Sequence, residues 1–237
     1  MTGATLTWLG SAGLRLDLAA GERIYVDPWL GSPAFPDSER NPERVDAILV
    51  THAHVDHAES VPEISRAYGA PVYAQTEVSA WLAAQGAVAG SPMGMNKGGT
   101  VAVCGVDVTM VHAVHSSAAG EKVIGDAAGF VLELPEGVTV YVAGDTDVFS
   151  DMSLIGDIYR PDVAVLPVGG LMTMGPRQAA HAQQLLGDPW VLPYHWGSAF
   201  LPGTADGLRD MLGPTRRSRV LDVVPGQRIA LLPLVAG

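Results

Sequence analysis

At 237 residues and 48% apolar content the chain can bury a sizeable core, as one large domain or two small ones, and no segment is polar or repetitive enough to point to disorder. A formal net charge of −11 argues against a general nucleic-acid surface, which needs an excess of Lys and Arg; a small anionic substrate stays open, because metal ions can supply local positive charge. The single cysteine, Cys104, excludes an internal disulfide, and its strand-like neighbours predict a buried small side chain.

In chain order, residues 4–9 and 13–18 read as a hairpin joined by Gly10-Ser11-Ala12-Gly13, and Arg23-Ile24-Tyr25-Val26 as a third strand stopped at Asp27-Pro28. Residues 31–44 are rich in Pro, Gly and charge and read as a surface flap near a site. The apolar run Ala47-Ile48-Leu49-Val50 predicts a buried strand, followed by a helix over 59–68, a strand at 71–74 and a helix over 77–84 behind Thr76. Residues 86–99 hold five glycines and no periodicity. Strands are expected at 100–104, 106–114, 128–134, 138–143, 162–167, 190–193 and 228–234, with helices over 147–159, from Pro176 to about Leu186, and over 204–212. The N-terminus lacks a basic segment followed by an apolar one, and no stretch reaches membrane-spanning length, so a soluble, cytoplasmic protein is expected. With no linker between its halves, the chain is expected to form one domain, 1–237, of two sheets packed face to face with helices outside.

The chemistry concentrates in Thr51-His52-Ala53-His54-Val55-Asp56-His57, which follows the 47–50 strand. Imidazole nitrogen and carboxylate oxygen are donors for Zn²⁺, Mn²⁺ and Fe²⁺. Strand ends are where open α/β proteins hold ligands. Three later residues share that placement: His115 after the 106–114 strand, Asp145 after 138–143, and His195 after 190–193. Asp27 reads either as a turn residue or as a carboxylate orienting the histidine loop.

The His-x-His-x-Asp-His signature, followed by a lone His, Gly144-Asp145-Thr146 and a final His, resembles the metallo-β-lactamase superfamily over nearly the whole chain. The match is to a branch known only as metal-dependent hydrolases, with L-ascorbate-6-phosphate lactonases as more distant relatives. Supporting segments are Asp27-Pro28-Trp29-Leu30, Asn96-Lys97-Gly98-Gly99-Thr100, His115-Ser116-Ser117, Leu166-Pro167-Val168-Gly169-Gly170 and Thr173-Met174-Gly175-Pro176. The resemblance implies an α+β fold, a four-layer αββα sandwich, with two divalent cations between the sheet edges. It assigns His52, His54 and His115 to the first metal and Asp56, His57 and His195 to the second, with Asp145 bridging. Zinc is favoured, and manganese or iron suit the same donors.

Such a pair of metals would share a hydroxide as nucleophile and hydrolyse an ester, lactone, amide or phosphodiester of a small molecule. Asp56, Asp145 and His195 would carry the catalysis, Asp56 holding or taking the nucleophile's proton. Nucleic-acid and membrane partners are not expected; a homo-oligomer stays open. Trp29, Met95, Asn96, Met172, Met174 and Trp196 are candidate pocket walls, with Lys97 and Arg177 the nearest cations. His112, three residues before His115, would point to the opposite strand face, and His181 falls on the helix after Pro176. Two other classes compete. One is a non-catalytic metal-binding scaffold. The other is a di-iron redox protein, a branch that tends to carry glutamate where this chain has His54 and that adds a flavin domain.

Overall fold

The computed structural model describes residues 3–235. The first half of the chain runs through β1 (Thr5–Trp8), β2 (Leu14–Asp17), β3 (Arg23–Val26), β4 (Ala47–Val50), the single turn α1 (Val55–Ala58), α2 (Val61–Tyr68), β5 (Pro71–Ala74), α3 (Thr76–Ala84) and β6 (Val88–Ala89). The second runs through β7 (Thr100–Val103), β8 (Val106–His112), β9 (Ala118–Ala119), β10 (Lys122–Val123), β11 (Ala128–Glu133), β12 (Thr139–Val142), α4 (Met152–Tyr159), β13 (Val163–Pro167), α5 (Pro176–Leu185), β14 (Trp190–Tyr194), α6 (Ala205–Asp210), α7 (Pro214–Arg217), β15 (Arg228–Ala230) and α8 (Leu232–Val235).

Two sheets result, ordered β15-β1-β2-β3-β4-β5-β6 and β14-β13-β12-β11-β8-β7, with β9 and β10 a separate ribbon. Side-chain alternation along each strand feeds two different interiors. Leu6, Leu16, Ile24 and Leu49 from the first sheet meet Val108, Met110, Phe130 and Val165 from the second, in one core between the sheets. The opposite face of the first sheet, Tyr25, Ile48, Val50 and Val72, packs on Ile64 of α2 and on Val78 and Leu82 of α3. The opposite face of the second, Val131, Tyr141, Ala164 and Val191, packs on Met152, Ile155, Ala179 and Leu208 of α4, α5 and α6. The layers are therefore helix, sheet, sheet, helix. Buried on both faces, β4 and β13 are continuous apolar runs, as parallel strands inside such layers must be. Truncating Leu49, fully buried, to alanine removes contacts worth about 2–5 kcal/mol.

The registers align the strand directions that matter for function. β3, β4 and β5 run parallel, as do β12, β13 and β14, and β8 runs with β12 because each is antiparallel to β11. The C-terminal ends of β3, β4, β8, β12 and β14 lead into Asp27, the His52–His57 segment, His115, Asp145 and His195.

Several boundaries differ from the sequence reading. Helix α4 starts at Met152, because the preceding turn is bound locally: the Val148 amide donates to Asp147 Oδ1 at 2.7 Å and the Asp147 amide to the Val114 carbonyl at 3.1 Å. The expected 228–234 strand ends at Ala230 and turns into α8, whose Pro233 fits a first helical turn. Cys104 is half-buried rather than buried; with φ 52° it opens the β7–β8 turn. The 31–44 segment is an anchored cover, not a free flap. Phe35 is buried against the outer face of the first sheet, and Glu39 pairs with the buried Arg15. Among the described residues no helix is long and apolar enough to cross a membrane.

Candidate metal centre

The loops at the converging strand ends are tied to one another by backbone and hydroxyl contacts. The Ala128 amide donates to the Thr51 carbonyl at 3.0 Å, joining the two sheets at the end of β4. Ser117 Oγ accepts from the Ala53 amide at 3.2 Å, and Thr146 Oγ1 from the Val114 amide at 2.9 Å. Gly144 has φ 67°, and a Cβ there would come within 2.6 Å of the Ala128 carbonyl oxygen and 3.1 Å of the Thr51 side chain, so the close approach of the chain just before Asp145 to Ala128 and Thr51 requires glycine.

Asp27 sits at the base of the site, buried, with φ 45°. Its Oδ1 accepts from the Thr51 amide at 2.8 Å; its Oδ2 accepts from Thr51 Oγ1 at 2.5 Å and lies 2.7 Å from His57 Nδ1. This orients the His57 ring so that Nε2 faces inward. His195, with φ 55°, has Nδ1 3.3 Å from Ser11 Oγ and Nε2 facing the carboxylates. Of the seven non-glycine residues at positive φ among the described residues, three (Ser11, Asp27 and His195) bear directly on the site. Such strain, of order 1–3 kcal/mol each, persists only where the surroundings enforce it.

Three overlapping groups of donor atoms form: His52, His54 and His115; His52, His57 and Asp145; and Asp56, His57 and His195, the atoms of each group within 4.8 Å of one another. His52 Nε2 lies 2.8 Å from His54 Nδ1, which lies 3.3 Å from His115 Nε2. Asp145 faces both sides. Its Oδ2 is 3.6 Å from His115 Nε2, and its Oδ1 is 3.4 Å from His57 Nε2 and 3.3 Å from His195 Nε2. Asp56 Oδ2 lies 3.4 Å from His195 Nε2 and 3.8 Å from His57 Nε2. All seven residues singled out in the sequence meet at this one place.

Electrostatics follow from burial and from these neighbours. Burial, reinforced by His57, pushes the His52 imidazole well below its ordinary range; burial also lowers His54 and His115. Burial would lower His57 too, but the carboxylates of Asp145, Asp27 and Asp56 outweigh it and hold it well above. For Asp145 burial acts upward and is overcome by His195 and His57, which keep the carboxylate well below the usual range. Neutral His52, His54 and His115 beside an ionised Asp145 are in the protonation states that bind a cation, whereas the proton that the carboxylates hold on His57 must leave when a cation binds there. His57 Nε2 and Asp145 Oδ1 make no hydrogen bond although buried, which costs about 1–3 kcal/mol per group unless something else engages them. Convergent, otherwise unengaged N and O donors fit divalent metal ions.

The cleft above these donors has a volume of about 700 Å³. Trp29 and Met172 line it, but Met95 and Met174 do not: both are buried in the cores, and Trp196 stacks on Trp8 at 5.6 Å. Asn96 is exposed, its Oδ1 accepting the Lys97 amide at 2.9 Å. Lys97 Nζ sits 3.4 Å from Asp126 Oδ2 and from His112 Nδ1, away from the cleft. His112 is exposed and meets Phe149 edge-on at 5.2 Å, while Arg177 and His181 are exposed on α5 outside the cleft lining. The sequence reading missed Ser11, Val55, Ala118, Gly120, Phe200 and Leu201 as lining. Only Ser11 carried a signal, as part of a glycine-flanked turn.

Comparison with known proteins agrees with this architecture. Residues 22–196 match a family model described as a beta-lactamase superfamily domain. A UPF0173 metal-dependent hydrolase of Herpetosiphon aurantiacus is 40% identical over 235 residues, covering 96% of this chain and 98% of its own length. Another, from Rubrobacter xylanophilus, is 44% identical over 212 residues, covering 86% of each. The solved structure of Igni18, a novel metallo hydrolase from the hyperthermophilic archaeon Ignicoccus hospitalis, superimposes with a TM-score of 0.84 at 29% identity, covering 95% of this chain and 97% of that one. With its helix–sheet–sheet–helix layers and its cluster of histidines and aspartates at the strand ends, the chain belongs to the metallo-β-lactamase superfamily, among the metal-dependent hydrolases that these relatives represent.

Proposed function

We propose that this metal-dependent hydrolase cleaves an ester, lactone, amide or phosphodiester bond of a small molecule at a site for two divalent cations, zinc by preference. The observation that carries the reading is the attitude of Asp145, whose two carboxylate oxygens face different histidines, Oδ2 toward His115 and Oδ1 toward His57 and His195. In this reading His52, His54 and His115 would hold one cation and Asp56, His57 and His195 the other, and Asp145 would serve both.

Bound there, divalent cations supply Lewis acidity and bring the pKa of a water near neutrality. The protein's own groups do the rest. Asp27 and Ser11 fix the rings of His57 and His195. Asp56 is the partly exposed carboxylate of the set, whereas Asp145 is buried, so Asp56 is the group able to hold the attacking water's hydrogen and receive its proton. Its partner is a small-molecule substrate; neither nucleic acid nor membrane takes part, and the cytoplasm is the setting that suits it.

The test is reversible inactivation. Chromogenic esters, lactones, thioesters and phosphodiesters are assayed before chelation, after it, and after adding back zinc or manganese. Loss and recovery of hydrolysis supports the reading; activity indifferent to chelation, or retained in Asp145→Ala, contradicts it.

A further inference from the structure

We propose that the cleft carries an apolar subsite that selects a neutral substrate with a hydrocarbon acyl or aryl part, an ester, lactone or amide, over anionic substrates; this rests on the hydrolase reading of the donor cluster beneath it. The wall is built from Trp29, Val55, Met172, Phe200 and Leu201, contributed by four separate segments: the loops after β3, β13 and β14, and the first residue of α1. Val55 is 59% exposed, Met172 56% and Phe200 73%. Large apolar side chains held out toward solvent around one cleft mark a binding surface rather than a core.

The loops are fastened, so the wall is a built feature. Trp29 Nε1 donates to Glu59 Oε2 at 2.9 Å. The Gly203 amide donates to the Gly169 carbonyl at 2.8 Å, and the Gly197 amide to the Leu201 carbonyl at 2.8 Å. The Met174 amide donates to the Thr146 carbonyl at 2.9 Å, tying the Met172 loop to the residue beside Asp145.

Among the described residues no Lys or Arg lines the cleft, and its carboxylates, Asp56 and Asp145, belong to the donor cluster. A charged group on the remote part of a substrate would lose hydration and gain no partner. A methylene placed against this wall gains about fourfold in affinity. The volume of about 700 Å³ suits a ligand of drug size rather than a minimal one.

Binding by the metal-loaded protein tests this without requiring turnover. Butano-, hexano- and octanohydroxamate, and a hexanohydroxamate bearing a terminal carboxylate, are titrated calorimetrically, with metal content measured in parallel. The inference predicts a Kd that tightens about 15-fold for each two methylenes, a carboxylated tail at least tenfold weaker than its neutral counterpart, and a chain-length gain that shrinks several-fold in Phe200→Ala and in Val55→Ser, both at exposed positions. Affinity independent of chain length, or stronger for the carboxylated tail, overturns the subsite and leaves the hydrolase reading standing. Failure of all four to bind overturns the metal-site reading, and the subsite with it.

Discussion

Ser11 and His195 clasp each other across the two sheets. Both hold left-handed backbone angles, φ 47° and 55°; the His195 amide donates to the Ser11 carbonyl at 3.1 Å, and Ser11 Oγ lies 3.3 Å from His195 Nδ1. Trp8 Nε1 donates to the same carbonyl at 2.8 Å, so the β1–β2 turn is rigid where it meets the histidine. The turn therefore orients the last donor of the cluster. Ser11→Ala is expected to lower metal affinity about 10-fold while costing about 0.5–1.5 kcal/mol of stability, and Ser11→Thr to restore much of the affinity. Chelator competition and thermal unfolding, measured together, check the split. Unchanged metal affinity in the alanine variant contradicts it.

Asp27 supports His57 in the same sense with a full charge. In Asp27→Asn one of the contacts to Thr51 and His57 faces a donor instead of an acceptor, in a site that is 1% exposed. Metal affinity is expected to fall about 10–100-fold. Asp27→Ala leaves the Thr51 amide and the His57 ring unpaired and should lose about 2–5 kcal/mol in denaturant unfolding. A drop under 1 kcal/mol would show that water replaces the carboxylate.

The two histidines at the end of β8 should separate cleanly. His115→Ala removes a donor 3.3 Å from His54 and 3.6 Å from Asp145, and His52→Ala and Asp145→Ala remove members of the overlapping groups; all three are expected to abolish hydrolysis. His112→Ala removes an exposed ring resting on Phe149 and should keep most of it. Steady-state rates with equal loss in His112→Ala would reassign the third ligand.

Alkaline stability follows from three tyrosines. Burial pushes Tyr25 up to about 12, burial raises Tyr141, and burial followed by the Asp145 charge raises Tyr194 well above the ordinary value near 10. A folded-state value above the unfolded one means that the stabilisation is complete below about pH 10 and is lost as pH rises through the folded values. These three of the six tyrosines should ionise only as the protein unfolds, seen as tyrosinate absorbance rising together with loss of near-ultraviolet dichroism. All six titrating while the dichroism stays intact would contradict this.

Much of the fold was legible because parallel strands buried on both faces must be unbroken apolar runs: Ala47–Val50 and Val163–Pro167 announced themselves. The donor residues were legible because each polar group directly follows such a run. What stayed hidden depends on distant partners. The β9–β10 ribbon has two residues per strand, too few to show an alternation, so it left no periodic signal. Met95 and Met174 were read as pocket wall from their loop setting, but the chain folds those loops inward. Phe200 gave no sign of lining the cleft, since its place is set by backbone pairing of Gly197 and Ser198 with Leu201. Asp27 read equally well as a turn; only the Thr51 and His57 contacts assign it a role.

The central claim, that two divalent cations share Asp145, is tested most directly by anomalous diffraction from crystals of protein purified without added metal. The account predicts two peaks per chain roughly 3.5–4 Å apart, one bonded to His52, His54 and His115, the other to Asp56, His57 and His195, with Asp145 touching both. A single peak, or none in a folded chain, would contradict it.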